Sequence, residues 1–293
     1  MNADDLTANA PVRTNVLGLS GYGFHRLAVH IWPARGQARH PDAICVHGLT
    51  RTGRDFDVLA DALSAQRNVI CPDVAGRGAS DWLAAPDAYT NAQYMADLTA
   101  VIAHTGAATI DWVGTSMGGL LGIMLAAQPN TPIRRLVLND VGPFVPRRAL
   151  LALADYVGAD PYFPDFDSAV AYLAGIHAGF GHLDRQHWRH LARHTVRPAE
   201  SGGYRLAYDP AIGAPFADRA AIADIDLWHF WDALACPVLV LRGAESELLT
   251  AETVAEMQRH GPGADAITMP GAGHAPALLT PDQVEPVRAW LDA

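Results

Sequence analysis

The chain has 293 residues, half of them hydrophobic, and a formal charge of −10 spread along its length. That much apolar sequence can bury a large core, which excludes a disordered or fibrous protein, and no Lys/Arg stripe is present of the kind that phosphate backbones need, which excludes nucleic acid as a partner. No apolar window approaches transmembrane length, and the first residues are acidic and polar where a secretory leader would carry a basic stretch and an apolar run, so a cytoplasmic protein without membrane contact is expected.

Short apolar runs alternate with amphipathic stretches of helical length, the pattern of βα units on a mostly parallel sheet. An extended segment around 25–32 leads to the buried strand Asp42-Ala-Ile-Cys-Val-His47 and a helix over 56–65, in which Phe56, Leu59 and Leu63 fall three or four residues apart. A strand over 68–72 runs into the turn Asp73 to Ser80, where Gly76 and Gly78 permit a sharp reversal. A helix over 91–104, a strand over 109–114, a helix over 118–127 and a strand over 134–139 follow. From 143 to about 230 the pattern changes to helical stretches rich in Ala, His and aromatics with no convincing strand, which reads as a helical insertion. The βα pattern resumes with a strand over 237–241, a helix over 251–260, a strand over 265–269 and a last helix over 282–291. Cys45, Cys71 and Cys236 make an odd count and sit in or beside apolar runs, so buried free thiols are expected.

Gly114-Thr-Ser-Met-Gly118 lies between an apolar strand and an apolar helix. A serine at the apex of such a turn is held in strained backbone geometry with its hydroxyl facing a site, and small residues two before and two after it let neighbouring backbone pass. Ser116 is therefore the expected nucleophile. Its hydroxyl needs a base and an orienting carboxylate, in the chain order Ser, acid, His. Of 13 histidines, His274 fits, in the glycine-rich loop Pro270 to Pro276 after the final strand. For the acid, Glu245 and Glu247 after the next-to-last strand both qualify, and Asp140 at the end of the strand after the nucleophile helix is a third candidate on geometry. Two backbone donors must meet the oxyanion: Met117, after the nucleophile, and Leu49, in the loop after the strand ending at Val46. His47 is expected to brace that loop. His187, His190 and His194 fall at helical spacing, but without Glu or Cys at matching spacing or an H-E-x-x-H pattern they are expected to form a helix face and no metal site.

Together these residues resemble the α/β-hydrolase superfamily, and within it the lidded esterase, lactonase and carbon–carbon-bond hydrolase branch. The resemblance spans nearly the whole chain. It rests on His47-Gly48 with Arg54-Asp-Phe-Asp57, Asp73-x-x-Gly76-x-Gly78-x-Ser80, Gly114 to Gly119, Leu136-Val-Leu-Asn-Asp-Val-Gly-Pro143, Leu241-Arg-Gly243 and Gly271-x-Gly273-His274, in that order. It implies an eight-stranded, mostly parallel sheet flanked by helices, with a helical cap inserted after strand six: core at 1–142 and 231–293, cap at 143–230. Its usual Gly-x-x-Ser-Asp arrangement maps onto Gly243-Ala-Glu-Ser-Glu247, which implies Glu247 as the acid, with Glu in place of Asp and Glu245 as the alternative.

The expected function is cofactor-free hydrolysis of a small carboxylic ester through an acyl-enzyme on Ser116, with Glu247 and His274 completing the triad. Hydrolysis of a lactone or a vinylogous diketone on the same residues is the alternative, and a non-catalytic ligand receptor on this fold is the reading from outside enzymology. The cap's aromatics, Tyr162, Phe163, Phe166, Tyr172, Phe180, Trp188, Trp228 and Phe230, offer either a pocket roof or the cap's own core. Oligomeric state leaves no mark in the sequence.

Overall fold

The computed structural model describes residues 6–293; residues 1–5, at the head of the expected core, lie outside the described residues. Strands β1 (Val12–Ser20) and β2 (Gly23–Trp32) form an antiparallel hairpin, paired from Val12 with Ile31 to Ser20 with Gly23. β1 lies before the extended segment expected from the sequence. It is an edge strand with one wet face, on which Leu17 and Leu19 are exposed, and Val12 at its start is exposed as well, so its hydrophobic pattern does not separate inside from outside. Next come β3 (Asp42–Val46), α1 (Asp57–Leu63), β4 (Val69–Pro72), α2 (Asn91–Thr105), β5 (Ile110–Thr115), α3 (Met117–Ala126) and β6 (Ile133–Asn139). The runs Ala43 to Val46, Val69 to Pro72 and Ile110 to Gly114 are buried throughout, as central parallel strands covered on both faces must be.

After β6 the chain leaves the sheet. It forms β7 (Phe144–Val145), α4 (Arg147–Leu153), α5 (Phe166–Ile176), α6 (Arg185–Thr195), β8 (Val196–Pro198), β9 (Tyr204–Leu206), β10 (Ile225–Asp226) and α7 (Trp228–Trp231). The expectation of helices without strands is corrected by two short antiparallel pairs. β8 and β9 form a hairpin closed through Gly202 and Gly203, both at positive φ, and two- or three-residue strands leave too little alternation to be read from sequence. β7 pairs with β10, Val145 opposite Ile225, so the way into the segment is hydrogen-bonded to the way out. The segment thus closes on itself where it meets the sheet.

β11 (Val238–Gly243), α8 (Ala251–Met257), β12 (Asp265–Met269) and α9 (Pro281–Asp292) complete the core. The sheet has eight strands in the order β1-β2-β4-β3-β5-β6-β11-β12, antiparallel through β4 and parallel from there on. The fold class is the one expected. Strand order reverses at β3, with β4 on one side and β5 on the other, and a ligand crevice opens at the carboxyl ends of such strands. Ser116, Asp140 and His274 all follow the carboxyl ends of parallel strands. Among the described residues no helix is long and apolar enough to cross a membrane, and all three cysteines are free and buried.

Candidate active site

Ser116 is the single residue between β5 and α3, with φ 51° and ψ −117°. A side chain rarely accepts that backbone, and it persists because the surroundings dictate it. A Cβ on Gly118 would strike the Val46 carbonyl, and one on Gly114 would strike the Gly118 carbonyl. The glycines two before and two after the serine therefore let β3, β5 and α3 converge closely enough to make the turn. The Ser116 hydroxyl ends at 2.9 Å from His274 Nε2.

His274 Nδ1 lies 2.8 Å from Oδ2 of Asp140, the residue just past β6. Asp140 is fully buried and has φ 55°, which turns its carboxylate away from the strand's own alternation. Oδ1 accepts the Gly243 amide at 2.7 Å, and Oδ2 accepts the Ser246 hydroxyl at 2.5 Å. Asn139, one residue earlier, donates to Thr115 Oγ1 at 3.0 Å and to the Pro276 carbonyl at 2.8 Å, tying the serine strand to the histidine loop.

The expectation of Glu247, with Glu245 as substitute, is corrected here. Both side chains are exposed, and Ser246 between them is the one that turns inward. The segment Gly243 to Glu247, which carried the expected acid, instead supplies the Gly243 amide and the Ser246 hydroxyl that hold Asp140. The carboxylate comes from the neighbouring strand end, and the order Ser, acid, His along the chain is kept.

Leu49 and Met117 both border the space in front of Ser116. Met117 opens α3, so its amide has no partner within the helix. The Gly48 carbonyl accepts from His47 Nδ1 at 2.7 Å and from the Arg51 amide at 3.1 Å, and the planar trans peptide then fixes the direction of the Leu49 N–H. His47 is buried and also accepts the Val74 amide at Nε2, at 2.9 Å, so both ring nitrogens are committed and the ring braces the loop. Burial pushes its pKa down to about 4. Arg77 escaped the sequence reading, although it stands inside the quoted Asp73 to Ser80 turn. Fully buried, it donates to the Leu49 carbonyl at 2.8 Å and to Tyr94 Oη at 2.8 Å, and its Nη2 lies 3.8 Å from Met117 Sδ. An Arg framed by two glycines next to an apolar strand was the available signal.

Two cavities meet at Ser116. The larger, about 320 Å³, is walled by Leu120, Val141, Val145, Leu150, Leu153, Ile212 and Phe216 among others. The smaller, about 70 Å³, holds His274 together with Thr50, Arg51, Asp55, Tyr156 and His177. Residues 143–230 thus line these cavities mostly with aliphatic side chains. Of the aromatics singled out from sequence, Phe180 alone borders either of these two cavities; Phe163 packs on Tyr172 at 5.2 Å and Phe166 on Tyr204 at 5.8 Å, inside the segment itself. The segment is docked onto the histidine loop by hydrogen bonds from the Gly273 amide to the Gly179 carbonyl and from the Ala277 amide to the Phe180 carbonyl.

His190 and His194 face Asp57 on α1, and one ligand atom from each of the three falls within 4.8 Å of the others. Sequence spacing could not reveal that acid, because it belongs to the core. Arg54 donates to both Asp57 oxygens, at 2.6 to 3.0 Å, so a divalent cation placed there would stand beside a guanidinium. Burial, with Arg54 adding, lowers the His194 pKa to about 3.

A serine, an imidazole and a carboxylate in this hydrogen-bonded order can pass the hydroxyl proton to the ring while the serine attacks a carbonyl. The chain matches the family described as alpha/beta hydrolase fold over residues 44–281. It is 42% identical, across 91% of its own length and 92% of the relative's, to a 3-hydroxybutyrate-oligomer hydrolase of Cupriavidus necator. It is 28% identical, across 88% and 91%, to a 2-(acetamidomethylene)succinate hydrolase of Mesorhizobium japonicum. Among solved structures, an alpha/beta hydrolase from Novosphingobium aromaticivorans superimposes with a TM-score of 0.85 at 34% identity, covering 97% of this chain and 99% of that one. The chain belongs to the α/β-hydrolase family. It is a hydrolase, in agreement with its motifs.

Proposed function

We propose that this protein is a serine ester hydrolase acting on short oligoesters of a hydroxyalkanoic acid, of which 3-hydroxybutyrate is the reference case. The carrying observation is the unbroken chain from Ser116 Oγ to His274 Nε2 at 2.9 Å and from His274 Nδ1 to Asp140 at 2.8 Å. Similarity to the oligomer hydrolase supports the substrate class.

In this reading His274 takes the Ser116 proton as Oγ attacks the ester carbonyl carbon, and Asp140 holds the imidazole and stabilises its charged form. The developing oxyanion is received by the Leu49 and Met117 amides, which their anchors keep in place before the substrate arrives. Collapse breaks the carbon–oxygen ester bond. His274 returns its proton to the leaving alcohol, and a water then follows the same route to release the acid and restore Ser116. Residues 143–230 act as the cap, its neck joined by the β7 and β10 pairing and its floor set by the cavities around Ser116. No cofactor enters the scheme.

Replacing Ser116 by Ala is expected to remove turnover of p-nitrophenyl butyrate and of 3-hydroxybutyrate oligomers while thermal unfolding stays near wild type. A fluorophosphonate probe is expected to label Ser116 in the wild-type chain; absence of labelling would favour the receptor reading. The likeness to 2-(acetamidomethylene)succinate hydrolase supports a second reading, in which the same residues open a different acyl bond, and a panel of esters, lactones and vinylogous diketones separates the two.

A further inference from the structure

The two cavities differ in which member of the Ser116 site they touch. His274 borders the smaller one only, and the Met117 side belongs to the larger. Since His274 must protonate the leaving oxygen, the alcohol part of the ester belongs in the small polar arm and the acyl chain in the apolar one.

Arg51 lies in that polar arm, and only 4% of its surface is exposed. Its Nε and Nη2 donate to the two oxygens of Asp55 at 2.7 and 2.8 Å. Nη1 is buried and has no hydrogen-bond partner; among the described residues, it is the one such side-chain nitrogen or oxygen on a residue bordering either cavity. A guanidinium engaged side-on through Nε and Nη2 keeps an end-on fork, Nη1 with the second hydrogen of Nη2, whose shape matches a carboxylate; here the guanidinium carbon lies 5.5 Å from the centroid of the Phe180 ring, which borders the same arm. A buried cationic donor left unmatched costs stability, which an arriving acceptor would offset. Asp55 is the opposing charge, but both its oxygens are already taken up by Arg51. Besides Ser116 and His274, the remaining polar side chains bordering the arm are the Thr50, Thr115 and Tyr156 hydroxyls and the His177 ring. Burial, with Arg51 and His274 adding, keeps His177 neutral and able to donate one hydrogen bond.

We propose that the polar arm is a subsite for a free carboxylate on the alcohol side of the ester, received end-on by Arg51. The enzyme then removes the carboxyl-terminal unit of an oligoester. The acyl part stays on Ser116 in the apolar arm, and a hydroxy acid leaves with the proton from His274. The arm's small volume, about 70 Å³, admits one short unit on that side. This rests on the hydrolase role of Ser116 but not on the identity of the acyl chain.

The test compares the linear 3-hydroxybutyrate dimer as free acid with its methyl ester. Wild type is expected to favour the acid in kcat/KM, and Arg51→Gln to lower the acid-over-ester ratio by about ten- to a hundredfold, chiefly through KM, with Arg51→Lys restoring part of it. Free 3-hydroxybutyrate is expected to compete with p-nitrophenyl butyrate in wild type and about tenfold more weakly in Arg51→Gln, while methyl 3-hydroxybutyrate does not discriminate the two proteins. A wild type indifferent to the carboxylate, or an Arg51→Gln protein that loses acid and ester in equal proportion, overturns the subsite. If neither dimer is cleaved, absence of competition by 3-hydroxybutyrate overturns it equally. Loss of fluorophosphonate labelling in wild type would instead sink the hydrolase reading.

Discussion

The ends of β6 and β11 lie side by side in the sheet, and both carry carboxylates, yet they are used in opposite ways. Beyond β6, Asp140 takes up a left-handed backbone and buries its carboxylate against an amide, a hydroxyl and an imidazole. Beyond β11, Glu245 and Glu247 face water, and the serine between them points at Asp140. A carboxylate orients a ring only when its own lone pairs are fixed, and fixing them takes donors from a second strand. In this chain the β11 end has become that second strand.

Asp140→Asn is expected to break the contrast most severely, lowering kcat about 10⁴-fold because the amide favours the wrong imidazole tautomer. Only a small loss would mean that a glutamate from the β11 end can take over. Ser246→Ala removes the 2.5 Å hydroxyl donor to Asp140 and is expected to cost roughly tenfold in kcat with little change in KM. The end of β3 offers a comparable case in His47, whose pKa is pushed from the ordinary 6.5 to about 4 by burial. Below pH 6.5 the unfolded chain binds a proton that the folded chain refuses until about pH 4, so stability falls on acidification through that window, by about 3 kcal/mol from this residue. Urea midpoints at pH 7 and pH 5 measure it, and a His47→Gln protein with an undiminished slope would assign the effect elsewhere. Smallest of all, Glu247→Gln and Glu245→Gln are expected to stay within about twofold of wild type in kcat/KM, as exposed side chains without a partner at the site should.

Most of the fold could be read in advance because the parallel strands are apolar runs separated by amphipathic helices, and both signals are local. β1 was missed for lack of contrast between its faces, and β7 to β10 because two or three residues cannot display a period. His274 was identifiable from its glycine-rich loop after the last strand. Arg77 and Arg51 were not singled out, since what gives them meaning, the Leu49 carbonyl for one and the cavity beside His274 for the other, lies tens of residues away along the chain.

The sequence by itself pointed to Ser116, His274 and the βα order, because each depends on neighbours within a few residues: Gly114 and Gly118 make the turn that Ser116 occupies whatever else the chain does. Tertiary structure alone decided which carboxylate meets His274 and the shape of the pocket. Both depend on which strand ends lie side by side and on the direction in which a side chain leaves the last residue of a strand. A positive-φ residue at Asp140 turned one carboxylate inward, while the turn after β11 pointed Ser246 inward and left two others in water.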